Sequence, residues 1–157
     1  MILEKYQPLV SIIMNCFNGE KYLKEAIESI FTQTYDNWEI IFWDNCSSDG
    51  SAEIFKGYND KRLKYFQSKN KTNLNVARNC AIDQASGMLL SFLDVDDWWD
   101  ENYLSSRASL FNDDDKDLLA HLFLTVGKIT KKLDINNTFR VNINNGEGAG
   151  QEVFHLH

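Results

Sequence analysis

The sequence predicts an α/β fold with a mainly parallel open sheet and helices on both faces. Three observations carry that expectation. Short apolar runs alternate with amphipathic stretches in the order β-α-β-α-β-α-β-α. The strands read as apolar nearly throughout, as strands covered on both faces do. Three of these runs end abruptly in polar residues: Asn15 after the first, Asp44-Asn45 after the second, Asp94-Val95-Asp96-Asp97 after the fourth. Connections of this kind are right-handed, and ligands in open α/β sheets bind at the carboxyl ends of the strands.

Leu9 to Met14 is the first strand, entered through Pro8 and followed by a turn at Asn15-Cys16-Phe17-Asn18-Gly19. Tyr22, Leu23, Ala26, Ile27, Ile30 and Phe31 recur at steps of three and four, which predicts a helix with Asn18 as N-cap and Glu20 in its first turn. Trp38 to Trp43 is the second strand, followed by the polar loop 44–51 and a short helix over 51–58. Leu63 to Gln67 is a third strand near a sheet edge, and 69–75 a loop. Val76, Cys80, Ala81, Ile82 and Ala85 mark the next helix, with Gly87 as its stop. Met88 to Leu93 is the fourth strand, and Glu101 to Phe111 a further helix. Trp98 and Trp99 are expected to pack in the core or at its rim. Beyond Asp117 the periodicity fades, although Thr138 to Ile143 alternates like a half-exposed strand. The turn-rich stretch 144–150 predicts a mobile end, with His155 and His157 in a tail rather than on a metal.

At 157 residues, 43% hydrophobic and 13% aromatic, the chain suits one globular domain. A net charge of -7 argues against a broad nucleic-acid surface. Cys16, Cys46 and Cys80 are odd in number and widely spaced, as in a reducing, cytoplasmic compartment. No apolar run reaches the ~20 residues of a membrane span, which leaves room for peripheral contact at the inner face of a membrane.

The aspartates after the fourth strand pose a physical problem. Carboxylates crowded together repel one another unless a cation sits between them. Mg2+ or Mn2+ prefers a few carboxylates together with substrate phosphates. Asp113-Asp114-Asp115 serves as a control: it follows a helix-like stretch, with no strand leading in, and reads as a solvated loop.

Several motifs in order then carry a resemblance. Val10-Ser11-Ile12-Ile13 with Asn18, Gln33-Thr34-Tyr35, Glu39-Ile40-Ile41, the 44–51 loop, Ala77-Arg78-Asn79, Ala85-Ser86-Gly87 and Phe92 to Asp97 together resemble the donor half of family 2 glycosyltransferases of the GT-A fold. The resemblance covers about residues 8–111. It implies a nucleotide-sugar donor, probed by Asn15, Asp44, Asn45, Arg78, Asp94 and Asp96. It implies a divalent metal, Mn2+ or Mg2+, held by Asp96, Asp94 and the neighbouring Asp97. It implies transfer with inversion to a glycan or lipid-linked acceptor, with UDP-sugars as the leading donors. Asn45 stands where many relatives carry a second Asp.

The implied organisation is a donor-binding GT-A domain over 1–117 and a divergent or shortened remainder over 118–157. The latter contains no assignable catalytic base; Asp134, Glu147 and Glu152 stand in turn-like or terminal contexts. A donor-binding fragment without turnover is therefore the alternative, and the sheet edge and apolar surface that a shortened domain exposes favour a homodimer through the C-terminal region. Phosphatases of the haloacid dehalogenase type are disfavoured, because their Asp-x-Asp ends the first strand. Phosphate-loop and dinucleotide motifs are absent.

Overall fold

The computed structural model describes residues 7–109. The 118–157 segment, the strand expected at 138–143, Phe111 and the terminal histidines lie outside the described residues. The elements follow the expected alternation: β1 (Val10–Cys16), α1 (Glu20–Phe31), β2 (Trp38–Asp44), α2 (Ser51–Lys56), β3 (Leu63–Gln67), α3 (Leu74–Ile82), β4 (Leu89–Phe92) and α4 (Tyr103–Ala108). Among the described residues the sheet has the order β3-β2-β1-β4 with every pairing parallel, so β1 and β2 lie inside and β3 stands at an edge, as expected.

Alternation along the central strands feeds two cores. Val10, Ile12, Met14 and Cys16 of β1 join Ile40 and Phe42 of β2 on one face, under Leu23, Ala26, Ile27 and Ile30 of α1 and Phe55 of α2. Ile13 and Ile41 point the other way and meet Ala81 of α3. Phe42 stacks on Phe55 and on Tyr65, with ring centroids 4.2 and 5.8 Å away, and those two rings also touch, at 6.2 Å. Helices thus cover both faces, and β1 and β2 are buried along almost their whole length.

Several boundaries differ from expectation. β1 runs on to Cys16, so Asn15 lies in the strand, in register with Trp43, and not in a turn. Asn18 is not the N-cap of α1; it adopts a left-handed φ of 55°, and Gly19 occupies the cap position without a side-chain cap. Tyr22 and Phe31 flank the buried stripe of α1 and stay exposed. α2 stops at Lys56. The 69–75 loop is shorter, because Asn73 accepts from the Val76 N–H and starts α3.

α3 turns Ala77 and Ala81 to the sheet and leaves Val76 exposed; small side chains allow its close approach. α3 ends at Ile82, before Gly87. Gly87 has a different role: a Cβ there would lie 2.6 Å from the Leu9 carbonyl and 2.7 Å from the Ser11 nitrogen. β4 is an outer strand among the described residues, with Leu90 and Phe92 exposed rather than buried. Trp99 packs as expected, stacked on Tyr103 at 4.2 Å, whereas Trp98 is 66% exposed.

Candidate functional site

The strand register brings three chain segments to one edge. Cys16 pairs with Asp44 at the ends of β1 and β2, and the Leu93 N–H donates to the Ile13 carbonyl just past β4. Asn15, Phe17, Asp44, Asn45 and Asp94 to Asp97 therefore share the carboxyl end of the sheet, where parallel α/β sheets take ligands.

The loops after β1 and β2 cap each other's helices. Asn18, Gly19 and Glu20 donate their backbone N–H groups to Ser47 Oγ, Ser51 Oγ and Asp49 Oδ2, each at 3.0 Å. In return Asn18 Oδ1 accepts from the Ser48 N–H at 2.8 Å, and Glu20 Oε2 from the Gly50 N–H at 2.9 Å. Orphan helix-terminal donors normally need such partners; here each loop supplies the other's. Against the cost of desolvation, hydrogen bonds from Ser51 and from backbone N–H groups hold the Asp49 carboxyl below its ordinary range.

Asp44 is fully buried. Its Oδ1 accepts from the Ser47 N–H and its Oδ2 from the Tyr65 hydroxyl, both at 2.7 Å. Burial, then the bond to Asp44 and that carboxylate's charge, push the Tyr65 phenol well above its ordinary value. Asn45 is also buried. Its Nδ2 donates to the Thr72 carbonyl at 2.8 Å, and its Oδ1 accepts from the Thr72 N–H and hydroxyl, each at 3.0 Å. Asn45 therefore fastens the loop before α3. Burial pushes the Cys16 thiol up, opposed by hydrogen bonds from Ser51 and Ser47, so Cys16 stays a protonated core residue.

Asn15 is 9% exposed, and neither polar atom of its carboxamide finds a hydrogen-bond partner among the described residues. Trp43 Nε1, in register beside it, is likewise unpartnered. An unsatisfied buried polar group costs about 1–3 kcal/mol, so this end of β1 and β2 carries uncompensated polarity.

Arg78 reaches from α3 to the end of β4, where its Nη2 donates to Asp94 Oδ1 at 2.7 Å and its guanidinium lies 5.8 Å from the Phe92 ring. Its ion-pair partner among the described residues is Asp94. Asp94 opens a turn closed by the Asp97 N–H on its carbonyl at 3.0 Å, and Asp96 and Asp97 stand exposed. The three carboxylates do not crowd together as expected. Among the described residues no group of three or more His, Cys, Asp or Glu could hold a metal ion. Arg78 balances Asp94 instead.

The edge also holds a group that the sequence reasoning passed over. Phe17, directly after β1, is 43% exposed, and Lys71 Nζ sits 3.4 Å from its ring centroid. The available signal was an aromatic residue inside an otherwise polar strand-end turn.

Known proteins share this fold. The family described as Glycosyl transferase family 2 matches residues 11–148. The UDP-Glc:alpha-D-GlcNAc-diphosphoundecaprenol beta-1,3-glucosyltransferase WfgD of Escherichia coli is 38% identical over 102 residues, which are 65% of this chain and 40% of that protein. Glycosyltransferase GlyG of Streptococcus pneumoniae is 34% identical over 113 residues, 71% of this chain and 38% of that one. S. aureus TarS 1-349 in complex with UDP superimposes with a TM-score of 0.61 and 31% identity, covering 64% of this chain and 31% of that chain. The mannosyltransferase PcManGT of Pyrobaculum calidifontis, solved with GDP-Man and Mn2+, shares the fold, with a TM-score of 0.62 and 22% identity over 66% of this chain and 32% of that one. The chain spans less than half the length of the curated relatives it matches. With its parallel GT-A-like sheet and its match over residues 11–148, the chain belongs to glycosyl transferase family 2.

Proposed function

We propose that the carboxyl edge of the sheet binds a nucleotide-diphosphate sugar, UDP-linked in the first instance, and presents it for transfer with inversion to a glycan or lipid-linked acceptor. The convergence of Asn15, the Asp44-Asn45 turn, Arg78 and Asp94 to Asp97 on one edge carries this reading. Family membership supports it, as do the UDP bound by TarS and the diphosphoundecaprenol-linked acceptor in the name of WfgD. Phe17 offers an exposed ring on which a base can stack. Asp44 and Asn45 act mainly by fixing the loops around the base, since their polar atoms are already engaged. Asn15 holds unspent hydrogen-bonding capacity at the same edge.

The donor set suits a divalent cation in kind: Asp94, Asp96 and Asp97 are solvent-facing oxygen ligands, and Mg2+ or Mn2+ completes such sites with diphosphate and water oxygens. Asp96 and Asp94 would hold it, with Asp97 beside them. When bound, such a cation offsets negative charge that develops on the departing diphosphate. Arg78 supplies a fixed positive charge from α3, and its pairing with Asp94 is part-exposed and hence weak. Residues 1–117 serve as the donor-binding part; the catalytic base lies outside them, so turnover depends on chain beyond the described residues. Among the described residues no helix is long and apolar enough to cross a membrane, and we place the reaction on the cytoplasmic side, at the membrane periphery when the acceptor is lipid-linked.

A second reading is favoured by one observation: no side chain among the described residues at this edge is assigned as a catalytic base. On that reading it binds donor without transferring sugar. Calorimetric titration of UDP with and without Mn2+, followed by an assay for sugar release from UDP-sugars, separates the two. Asp96→Ala should abolish the metal-dependent part of UDP binding and leave the fold intact; unchanged affinity in the folded variant would remove Asp96 from the metal site.

A further inference from the structure

We propose that Lys71 is a diphosphate-pairing residue of the donor site, parked on the Phe17 ring until a nucleotide displaces it; this rests on the donor reading above. Lys71 Nζ lies 3.4 Å from the Phe17 centroid, over the exposed face of a ring that directly follows β1. The next residue, Thr72, is tied to buried Asn45 by three hydrogen bonds. The backbone at Lys71 is thereby fixed at the carboxyl edge, while its side chain is exposed and, among the described residues, held by the ring alone.

Charge sharpens the point. The chain carries a net charge of -7, yet Lys71 has no carboxylate within ion-pair distance among the described residues. Arg78, another cation reaching this edge, is paired with Asp94. An unpaired ammonium capping an aromatic face marks a place where a planar group and an anion can arrive together. A base stacking on Phe17 occupies the position of the ammonium. The flexible four-carbon stem then swings to the nearest new anion, which is the diphosphate of the same ligand. No covalent bond changes. The step exchanges a cation–π contact for an ion pair.

The test uses the full chain with Mn2+, measuring UDP binding by calorimetry and uridine binding by chemical-shift titration. Lys71→Met keeps the length of the side chain and removes its charge. UDP affinity should fall about fivefold, while uridine affinity stays level or rises because the ring is uncovered. Lys71→Arg should recover most of the UDP affinity. Equal UDP affinity in the Met variant, or the same loss for uridine as for UDP, would overturn the assignment. If the unmodified chain binds neither UDP nor GDP, the donor site itself falls and Lys71 with it. That outcome is distinct from one in which the unmodified chain binds and the Met variant matches it.

Discussion

Glu39→Gln should lower stability by about 2 kcal/mol at neutral pH. Glu39 is 5% exposed, and its Oε1 accepts from the Ser11 hydroxyl at 2.6 Å and the Ser86 N–H at 2.7 Å. Its Oε2 meets Lys64 Nζ at 2.6 Å, and Ser11 Oγ in turn accepts from the Gly87 N–H at 2.8 Å. A glutamine oxygen can retain both Oε1 bonds, but as neutral ones, about half as strong as charge-assisted bonds. That weakening costs roughly 1 kcal/mol across two bonds. The ion pair is lost as well; Lys64 is a third exposed, so its share is about 1 kcal/mol or less. The sum corresponds to a Tm drop of roughly 6–8 °C in thermal unfolding. Acid provides an internal check. Burial raises the Glu39 pKa, but hydrogen bonds from Lys64, Ser11 and Ser86, and the Lys64 charge, outweigh it and hold the carboxyl below its ordinary 4.5. Its contribution is therefore complete above about pH 4.5 and disappears as pH falls through the lower folded value. The Tm gap between wild type and variant should close over that range, because protonated Glu39 resembles Gln. A gap under one degree at pH 7, or one that persists undiminished to pH 3 in the folded protein, would refute the reasoning.

Two further substitutions test how the strand ends are set. Gly87→Ala should destabilise by about 2–3 kcal/mol and weaken nucleotide binding, since its Cβ would meet the Leu9 and Ser11 backbone at 2.6–2.7 Å just ahead of β4; an unchanged denaturation midpoint would show that β4 can shift freely. Tyr65→Phe leaves Asp44 Oδ2 buried without its donor and should cost about 1–3 kcal/mol in denaturant melts; a neutral result would mean that water reaches Asp44.

The central strands were legible because both of their faces are buried, and the runs at Val10 to Met14 and Trp38 to Phe42 are apolar apart from Ser11 and Glu39, which satisfy each other. β4 was misjudged for the same reason. Its run Met88 to Leu93 looks equally apolar, but β4 is an outer strand among the described residues and leaves Leu90 and Phe92 exposed, and no local pattern reports lateral position. Asn18 looked like an N-cap because a cap is normally local. Here the capping partners lie 29 to 32 residues apart, across two loops. The aspartate cluster was legible as a strand-end feature. Its arrangement was not, because Arg78 approaches from a helix sixteen positions earlier in the chain and takes Asp94 for itself. Gly87 was read as a helix stop when its lack of a side chain serves contact with β1.

The crossed caps bear on how a diphosphate can be held. Helix N-termini are common anion sites, because their free N–H groups point at the ligand. In this fold three N–H groups leading into α1 are spent on Ser47, Ser51 and Asp49, and three leading into α2 on Asn18, Glu20 and Asp49. Two of these acceptors are carboxylates, so the region repels an incoming diphosphate. On the nucleotide-donor reading the negative charge must therefore be met by separate cations. The edge is equipped for this without any preformed cage. Asp94 is half exposed and paired only with Arg78, a weak bond that can be exchanged at low cost. Asp96 and Asp97 face solvent, and Lys71 is unpaired among the described residues. Loose carboxylates that gain a cation only together with its phosphate ligands avoid the standing repulsion of a closed three-carboxylate site. An edge built this way couples metal affinity to nucleotide affinity: each should bind weakly alone and strengthen the other by the same factor, as linkage requires.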